Sequence, residues 1–220
     1  DWLVTAGQSV WQVLPLGPTG YGDSPYQCFS AFAGNPLLVS PDALLEEGLL
    51  AHDDLAGMPQ FPPESVEFGP VIDWKRALLE RAAERFERGE GRSGDQRGAF
   101  EAWRRENAAW LHDYALFMAL KDAHGGAPWV EWSEPLRRHE GAALAAARQA
   151  HARAISTHVF MQWTFYRQWG ALRSYAANHG IAIVGDAPIF VAHDSADVWA
   201  NPGLFQLGDD GRPTAVAGVP

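Results

Sequence analysis

One cysteine, two lysines and no long apolar run set the first limits on this 220-residue sequence. With Cys28 alone, no internal disulfide and no cysteine-based metal site can form. No stretch approaches the roughly twenty apolar residues that a membrane-spanning helix needs. No Gly-Lys pair occurs, so a phosphate loop of the Walker type is excluded, and Gly17, Gly20 and Gly22 stand as GxxGxG, not as GxGxxG. His139-Glu140 is not followed by a second histidine at 143, which removes the zinc-protease helix. Cations are scarce: seventeen Lys and Arg against twenty-seven Asp and Glu give a formal charge of -10. That balance disfavours a nucleic-acid backbone as partner, because counterion exchange needs a basic surface. The opening Asp1-Trp2-Leu3 has neither a basic start nor a cleavage site, and with the low cysteine count it leads to a cytoplasmic expectation. It also lacks Met and begins inside an apolar segment, so the sequence is expected to be an internal piece of something longer.

Aromatic residues are abundant: ten tryptophans, and 12% Phe, Trp and Tyr together. Such rings serve either large cores or sugar-stacking surfaces, and their helical spacing predicts about two thirds in the core. Residues 1–7 read as a helix end stopped by Gly7. Val10 to Leu16 is short, apolar and β-branched, a buried strand. Residues 17–35 form a long glycine-rich loop, of a length that is usually functional when it is not disordered. Helices are expected at 41–48, from an Asp73 cap to Arg88, from Gly98 to Lys121, and across 140–178 with Gly180 as stop. Ile181 to Val184 is a second buried strand. Residues 194–200 suggest a short helix capped by Asp194 or Ser195, and 204–216 a hairpin turning at Asp209-Asp210-Gly211.

Two strands of parallel type, separated by a mainly helical stretch, do not make one βα crossover. The expected class is α/β: a partial (β/α)8 TIM barrel with a large, mainly helical insertion between early strands. Residues 1–40 would supply the N-terminal part of the barrel and its loop. The insertion and a barrel helix would take 41–178. A strand and a second loop would occupy 179–220. Two strands cannot close eight.

Chemistry concentrates in two places. Asp186 follows an apolar strand directly, between Gly185 and Pro188, and the C-terminal end of a barrel strand is where function sits. An equal reading makes it a turn carboxylate bonded to nearby amides. The loop Gly20-Tyr21-Gly22-Asp23-Ser24-Pro25-Tyr26-Gln27 offers aromatic plates beside short polar groups on a backbone stiffened by proline. That suits sugars, with their flat C–H faces and hydroxyl fringe; a plain polar surface loop is the alternative. His193 to Asp197 places an imidazole and a carboxylate one turn apart, for which a turn start with a surface carboxylate is the commoner meaning.

WQVLPLGPTGYGDSPYQ followed by FSAFAGNPLL, and later GDAPIFVAHDSADVWANPGLFQL, resemble the two signatures of the amylomaltase (disproportionating enzyme) family of 4-α-glucanotransferases. The terminal AVAGVP is similar to the start of that family's mobile substrate-covering loop. Cys28 and Ala187 depart from many relatives. The resemblance covers essentially the whole sequence. It implies a barrel enzyme of the α-amylase kind that moves an α-1,4-glucan segment to the 4-hydroxyl of glucose or of another chain. Its partners would be α-1,4-glucans and maltooligosaccharides with glucose as acceptor, with no nucleic acid, no membrane, no cofactor and no metal. It also implies a retaining mechanism through a carboxylate nucleophile and an acid/base carboxylic acid. By analogy Tyr26 stacks on the sugar at the cleavage point, Ser24 and Gln27 lie beside it, Asp186 contacts substrate, and Tyr21 belongs to a secondary glucan surface. The family's three catalytic carboxylates have no counterpart before Pro220, so no catalytic residue is expected here and the piece alone is expected to be inactive. A related α-amylase-type hydrolase and a non-catalytic glucan-binding module remain the competing readings.

Overall fold

The computed structural model describes residues 1–91 and 96–215. The helices are α1 (Trp2–Thr5), α2 (Pro41–Glu46), α3 (His52–Leu55), α4 (Phe68–Glu87), α5 (Gln96–Glu106) and α6 (Ala108–Ala123). They continue as α7 (Glu134–Arg137), α8 (Gly141–Ala150), α9 (Ala152–Asn178) and α10 (Ala196–Ala200). The strands are β1 (Val10–Gln12) and β2 (Ala182–Val184), so the chain is α/β and mostly helical. Their ends follow local chemistry. Gly7 and Gly180 take φ of 67° and 72° after α1 and α9, the left-handed stop that glycine tolerates best. Beyond Gly180, the Ile181 amide donates back to the Ala176 carbonyl at 2.9 Å and closes the last turn. Ser40 caps α2 by accepting from the Ala43 amide.

β1 and β2 pair in parallel, Val10 with Ala182 through Gln12 with Val184, as two isolated apolar runs suggested. They are shorter than the runs, however, and they are not buried: Val10 is 52% and Val184 47% exposed. Parallel strands usually have both faces covered. Among the described residues this pair lacks such cover.

Other expectations shift for identifiable reasons. Helix α4 starts at Phe68 after Glu67, not at Asp73, because Pro70 fits a first turn whose amides have no helical partner anyway. The run from Gly98 to Lys121 breaks at Asn107. Its Nδ2 donates to the Trp103 carbonyl at 2.9 Å, the same oxygen that takes its backbone amide. Side-chain competition of that sort interrupts a ladder. The stretch 140–178 likewise divides at His151, whose φ of -112° leaves the helical region. The 204–216 hairpin reduces to one antiparallel bridge, Leu207 to Pro213, around a turn closed by Gly211 at φ 79°. Proline has no amide with which to extend that ladder.

The chain divides into two compact units. The first comprises 1–16, 34–107 and 159–186. Its core is aromatic: Phe86 meets Phe100, Phe160 and Trp163 with ring centroids 5.1–5.2 Å apart. Segment 34–40 is held by side chains. The buried Gln162 of α9 accepts from the Gly34 amide and donates to the Gly34 carbonyl, both at 2.8 Å. Six residues on, Gln168 does the same for Ser40, at 2.7 and 3.3 Å. Lys75 of α4 donates to the Leu37 and Val39 carbonyls. Gly34 cannot carry a side chain, since a Cβ there would stand 1.9 Å from the Phe165 ring.

The second unit comprises 17–33, 108–158 and 187–220. Phe117 of α6 sits between Trp132 and Trp199, at 5.4 and 5.8 Å. Burying an indole strands its N–H unless an acceptor is near. Trp129, Trp132 and Trp199 donate to the carbonyls of His193, Ala127 and Leu136. Of the ten tryptophans, four are buried, four half-buried, and Trp2 and Trp11 exposed, so fewer are fully buried than the two thirds their spacing predicted.

Candidate functional site

The loop 17–33 is a stiff miniature hairpin. Phe29 donates to the Pro18 carbonyl at 3.0 Å and Gly20 to the Gln27 carbonyl at 2.8 Å, with Thr19 and Cys28 bridged between them. At its tip Asp23 donates to Gly20 and Gln27 to Ser24. The two arms approach closely at Gly20, where a Cβ would lie 2.8 Å from the Gln27 carbonyl oxygen. Cys28 is buried inside, its Sγ donating to the Pro25 carbonyl at 2.7 Å. Burial, helped by the charge of Asp197, pushes the thiol's pKa up, so it stays a protonated donor and not a nucleophile.

This frame presents three of the sequence-derived residues together. Tyr26 is 43% exposed, Gln27 is exposed, and Ser24 is half-buried with its Oγ accepting the Tyr26 amide at 3.3 Å. Tyr21 lies in the turn Tyr21–Asp23; its side chain falls outside the described residues. Residues 216–220, most of the AVAGVP motif, also lie outside them. Asp186 belongs to the first unit, exposed just past β2 and Gly185, at the strand end that the sequence indicated.

The hairpin's return arm is docked on α10. Ala196 donates its amide to the Phe29 carbonyl at 2.8 Å, and Asp197 Oδ2 accepts the Ala31 amide at 2.9 Å. Buried Ser30 accepts from the Phe32 and Ala33 amides. Burial raises the Asp197 pKa, against the lowering pull of its hydrogen bonds to the Ala31 amide and the Ser30 hydroxyl. Of the two proposed caps for α10, Ser195 serves, accepting the Val198 amide. Asp194 pairs instead with Lys121, whose ammonium also donates to the Gly126 and Ala127 carbonyls and lies 5.1 Å from the Phe29 ring. Neither Asp194 nor Asp197 is the surface carboxylate that the 193–197 pattern suggested. The overlooked signal was Lys121 itself: a lysine on the apolar stripe of α6 requires an anionic partner and carbonyls around it.

Beside the hairpin, Pro128, Val130 and Glu131, with residues 192–194 and 212–213, enclose with it an open cleft of roughly 610 Å³. Among the described residues, no cluster of three or more His, Cys, Asp or Glu could hold a metal ion. No helix there is long and apolar enough to cross a membrane.

A family model described as 4-alpha-glucanotransferase, the glycoside hydrolase 77 group, matches residues 1–220. The chain belongs to this family. It is 54% identical to the 4-alpha-glucanotransferase of Thermus thermophilus over 218 residues, which cover 99% of the chain and 42% of that protein. A Synechocystis 4-alpha-glucanotransferase is 44% identical over 221 residues, covering 43% of its length. The amylomaltase of Streptococcus agalactiae, solved in complex with acarbose, superimposes with a TM-score of 0.93 at 40% identity, over all of this chain and 44% of that one. The chain thus spans about two fifths of the length of the family members it matches.

Proposed function

We propose that this chain forms the substrate-gripping part of a cytoplasmic 4-α-glucanotransferase of its relatives' length. In this reading β1 and β2 are neighbours in a (β/α)8 barrel completed by further strands. Residues 1–40 and 179–220 belong to that barrel, and 41–178 are largely inserted between its strands. The exposed, uncovered strand pair supports this, because a parallel pair is stable when sandwiched.

The observation that carries the functional reading is the exposed Tyr26 ring on a hydrogen-bonded hairpin, flanked by Ser24 and Gln27. A held ring costs little further ordering when a pyranose stacks on it, and the neighbouring hydroxyl and carboxamide suit sugar hydroxyls. A relative binds acarbose, which accords with a glucan ligand. The reaction we assign is double displacement. A carboxylate attacks the anomeric carbon as the bond to the leaving sugar oxygen breaks, and an acid protonates that oxygen. The 4-hydroxyl of glucose or another glucan then displaces the carboxylate, returning its proton to the same group. Those carboxyl groups are supplied by sequence beyond this chain. The role left to Tyr26, Ser24, Gln27 and Asp186 is to hold the donor glucan, with Tyr21 on a secondary glucan surface.

The test is Tyr26→Ala against Tyr26→Phe in the full-length gene product, with maltotriose as donor and glucose as acceptor. Losing a stacking contact of about 1–3 kcal/mol in the transition state should slow transfer about tenfold to a hundredfold. The Phe variant keeps the ring face and should lose much less. Melting temperatures should stay within a few degrees in both. An Ala variant with wild-type single-turnover rates would sink the stacking role.

A further inference from the structure

We infer that Asp197 is a positioning residue for the transfer reaction: by holding the return arm of the hairpin against α10, it sets where the Tyr26 ring stands. The inference rests on the stacking role proposed for Tyr26 and extends it to a side chain that need touch no sugar.

Helix α10 is a fixed platform. Its Trp199 is fully buried, with its ring 5.8 Å from Phe117 and 5.6 Å from Trp132 and its N–H on the Leu136 carbonyl. Ala196 and Val198 are buried too, and Ser195 caps the first turn. Close-packed side chains do not give way, so a loop bonded to this helix must conform to it.

The hairpin meets the platform at two points. The Phe29 carbonyl accepts the Ala196 amide at 2.8 Å, and the Phe29 ring lies 6.3 Å from Phe117 and 5.1 Å from the Lys121 ammonium. That point is secured without Asp197. Two residues on, Asp197 Oδ2 accepts the Ala31 amide at 2.9 Å, and the same carboxylate takes the hydroxyl of buried Ser30. A single grip is a pivot. A second grip two residues along removes the rotation about it, and Asp197 is that second grip.

Hydrogen bonds pass this orientation on to Tyr26. Phe29 donates its amide to Pro18 and Gly20 donates to Gln27, so the two arms move as one ribbon. At the tip, Cys28 Sγ donates to the Pro25 carbonyl at 2.7 Å and the Tyr26 amide donates to Ser24 Oγ at 3.3 Å. Both polar groups of the Pro25–Tyr26 peptide are therefore engaged. Tyr26 precedes Ala31 by five residues. That is up to about 17 Å of chain, so a tilt of a few degrees at the base carries the ring on the order of 1 Å. A misplacement of that size slows reaction by as much as about a hundredfold where a group must be held in place. Ala31 is exposed, so water takes over its amide when the carboxylate is removed, and folding should lose little. Position and stability are separable at this residue.

The experiment is a double-mutant cycle in the full-length gene product, with maltotriose as donor and glucose as acceptor. Asp197→Ala should slow single-turnover transfer about tenfold while the melting temperature falls by only a few degrees. Should the Ala variant fold poorly, Asp197→Ser, which hydrates the gap and falls short of the Ala31 amide, carries the same expectation. Asp197→Asn keeps the acceptor for that amide and should stay within about threefold of the parent. In the Tyr26→Ala background, where no ring is left to place, Asp197→Ala should slow transfer by less than about twofold more. Parental rates in the Ala and Ser variants, an Asn variant as slow as Ala, or the full tenfold loss repeated in the Tyr26→Ala background would each overturn the positioning role. If Tyr26→Ala is slow and Asp197→Ala is not, only the positioning falls. If Tyr26→Ala transfers normally, the stacking reading itself falls and takes the positioning with it.

Discussion

Replacing Gln162 by methionine should be among the costliest single changes in the first unit, although it alters neither charge nor, to any large degree, volume. The side chain is fully buried, and its two polar atoms bind the amide and the carbonyl of Gly34 at 2.8 Å each. Gly34 is itself buried, so water cannot take over. Methionine keeps the length of the side chain and removes both partners. Each orphaned backbone group then costs about 1–3 kcal/mol in desolvation, giving about 4 kcal/mol for the pair. At about 2–4 °C per kcal/mol for a protein of this size class, the melting temperature should drop by about 8–16 °C. Gln168→Met is the internal control. It removes the same two bonds from Ser40, but there both groups are only half-buried and one bond is already long at 3.3 Å, so the drop should be less than half as large. Differential scanning calorimetry of both variants, with amide exchange at Gly34 as a local probe, reads the effect. Equal drops for the two variants would refute the argument, because burial is the only large difference between the sites.

Lys121→Met removes the partner of Asp194 and leaves a carboxylate beside the cleft without its ammonium; a loss of about 3–5 kcal/mol is expected by urea unfolding, and a neutral result would show that Asp194 hydrates freely. Asp197→Asn keeps an acceptor for the Ala31 amide and removes the charge that burial disfavours. Because the folded pKa of Asp197 is raised above 3.8, its contribution is full below that value and is lost as pH climbs through the raised pKa. The Asn variant should therefore gain in melting temperature relative to the parent as pH rises above 3.8, and a difference that does not change with pH would count against it.

What the sequence disclosed and what it withheld divide by range. Gly7, Gly180 and Ser195 act within a few residues of themselves; local rules placed the two glycine stops and narrowed the α10 cap to Asp194 or Ser195. The parallel pairing was legible because two apolar runs with a helical stretch between them admit few alternatives. The hairpin's residues stood out through composition, a Tyr beside Pro25, Ser24 and Gln27, and the structure gathers Ser24, Tyr26 and Gln27 on one hairpin. Breaks at Asn107 and His151 escaped, since helical periodicity runs straight through them. The clamps on segment 34–40 and the Lys121–Asp194 pair also escaped, since their partners lie 36 or more residues away. Buried polar side chains on helices were their only trace. Such residues declare that a partner exists without naming it.

Gln162 grips Gly34 and Gln168 grips Ser40, so six residues of helix are matched to six residues of chain built around one 3-10 turn, Pro36–Leu38. Six helical residues advance about 9 Å and turn about 600°, which leaves the second grip about 120° around the helix from the first. The segment 34–40 must wind with that pitch, and its two ends are fixed like a thread on a screw. The exposed side chain of Leu38 can change; the count cannot: one residue gained or lost in 35–39, or in 163–167, would leave one glutamine facing the wrong turn. Length is therefore a quantity that selection should guard here even where identity is free, and a deletion scan should find position 38 intolerant where a substitution scan finds it permissive.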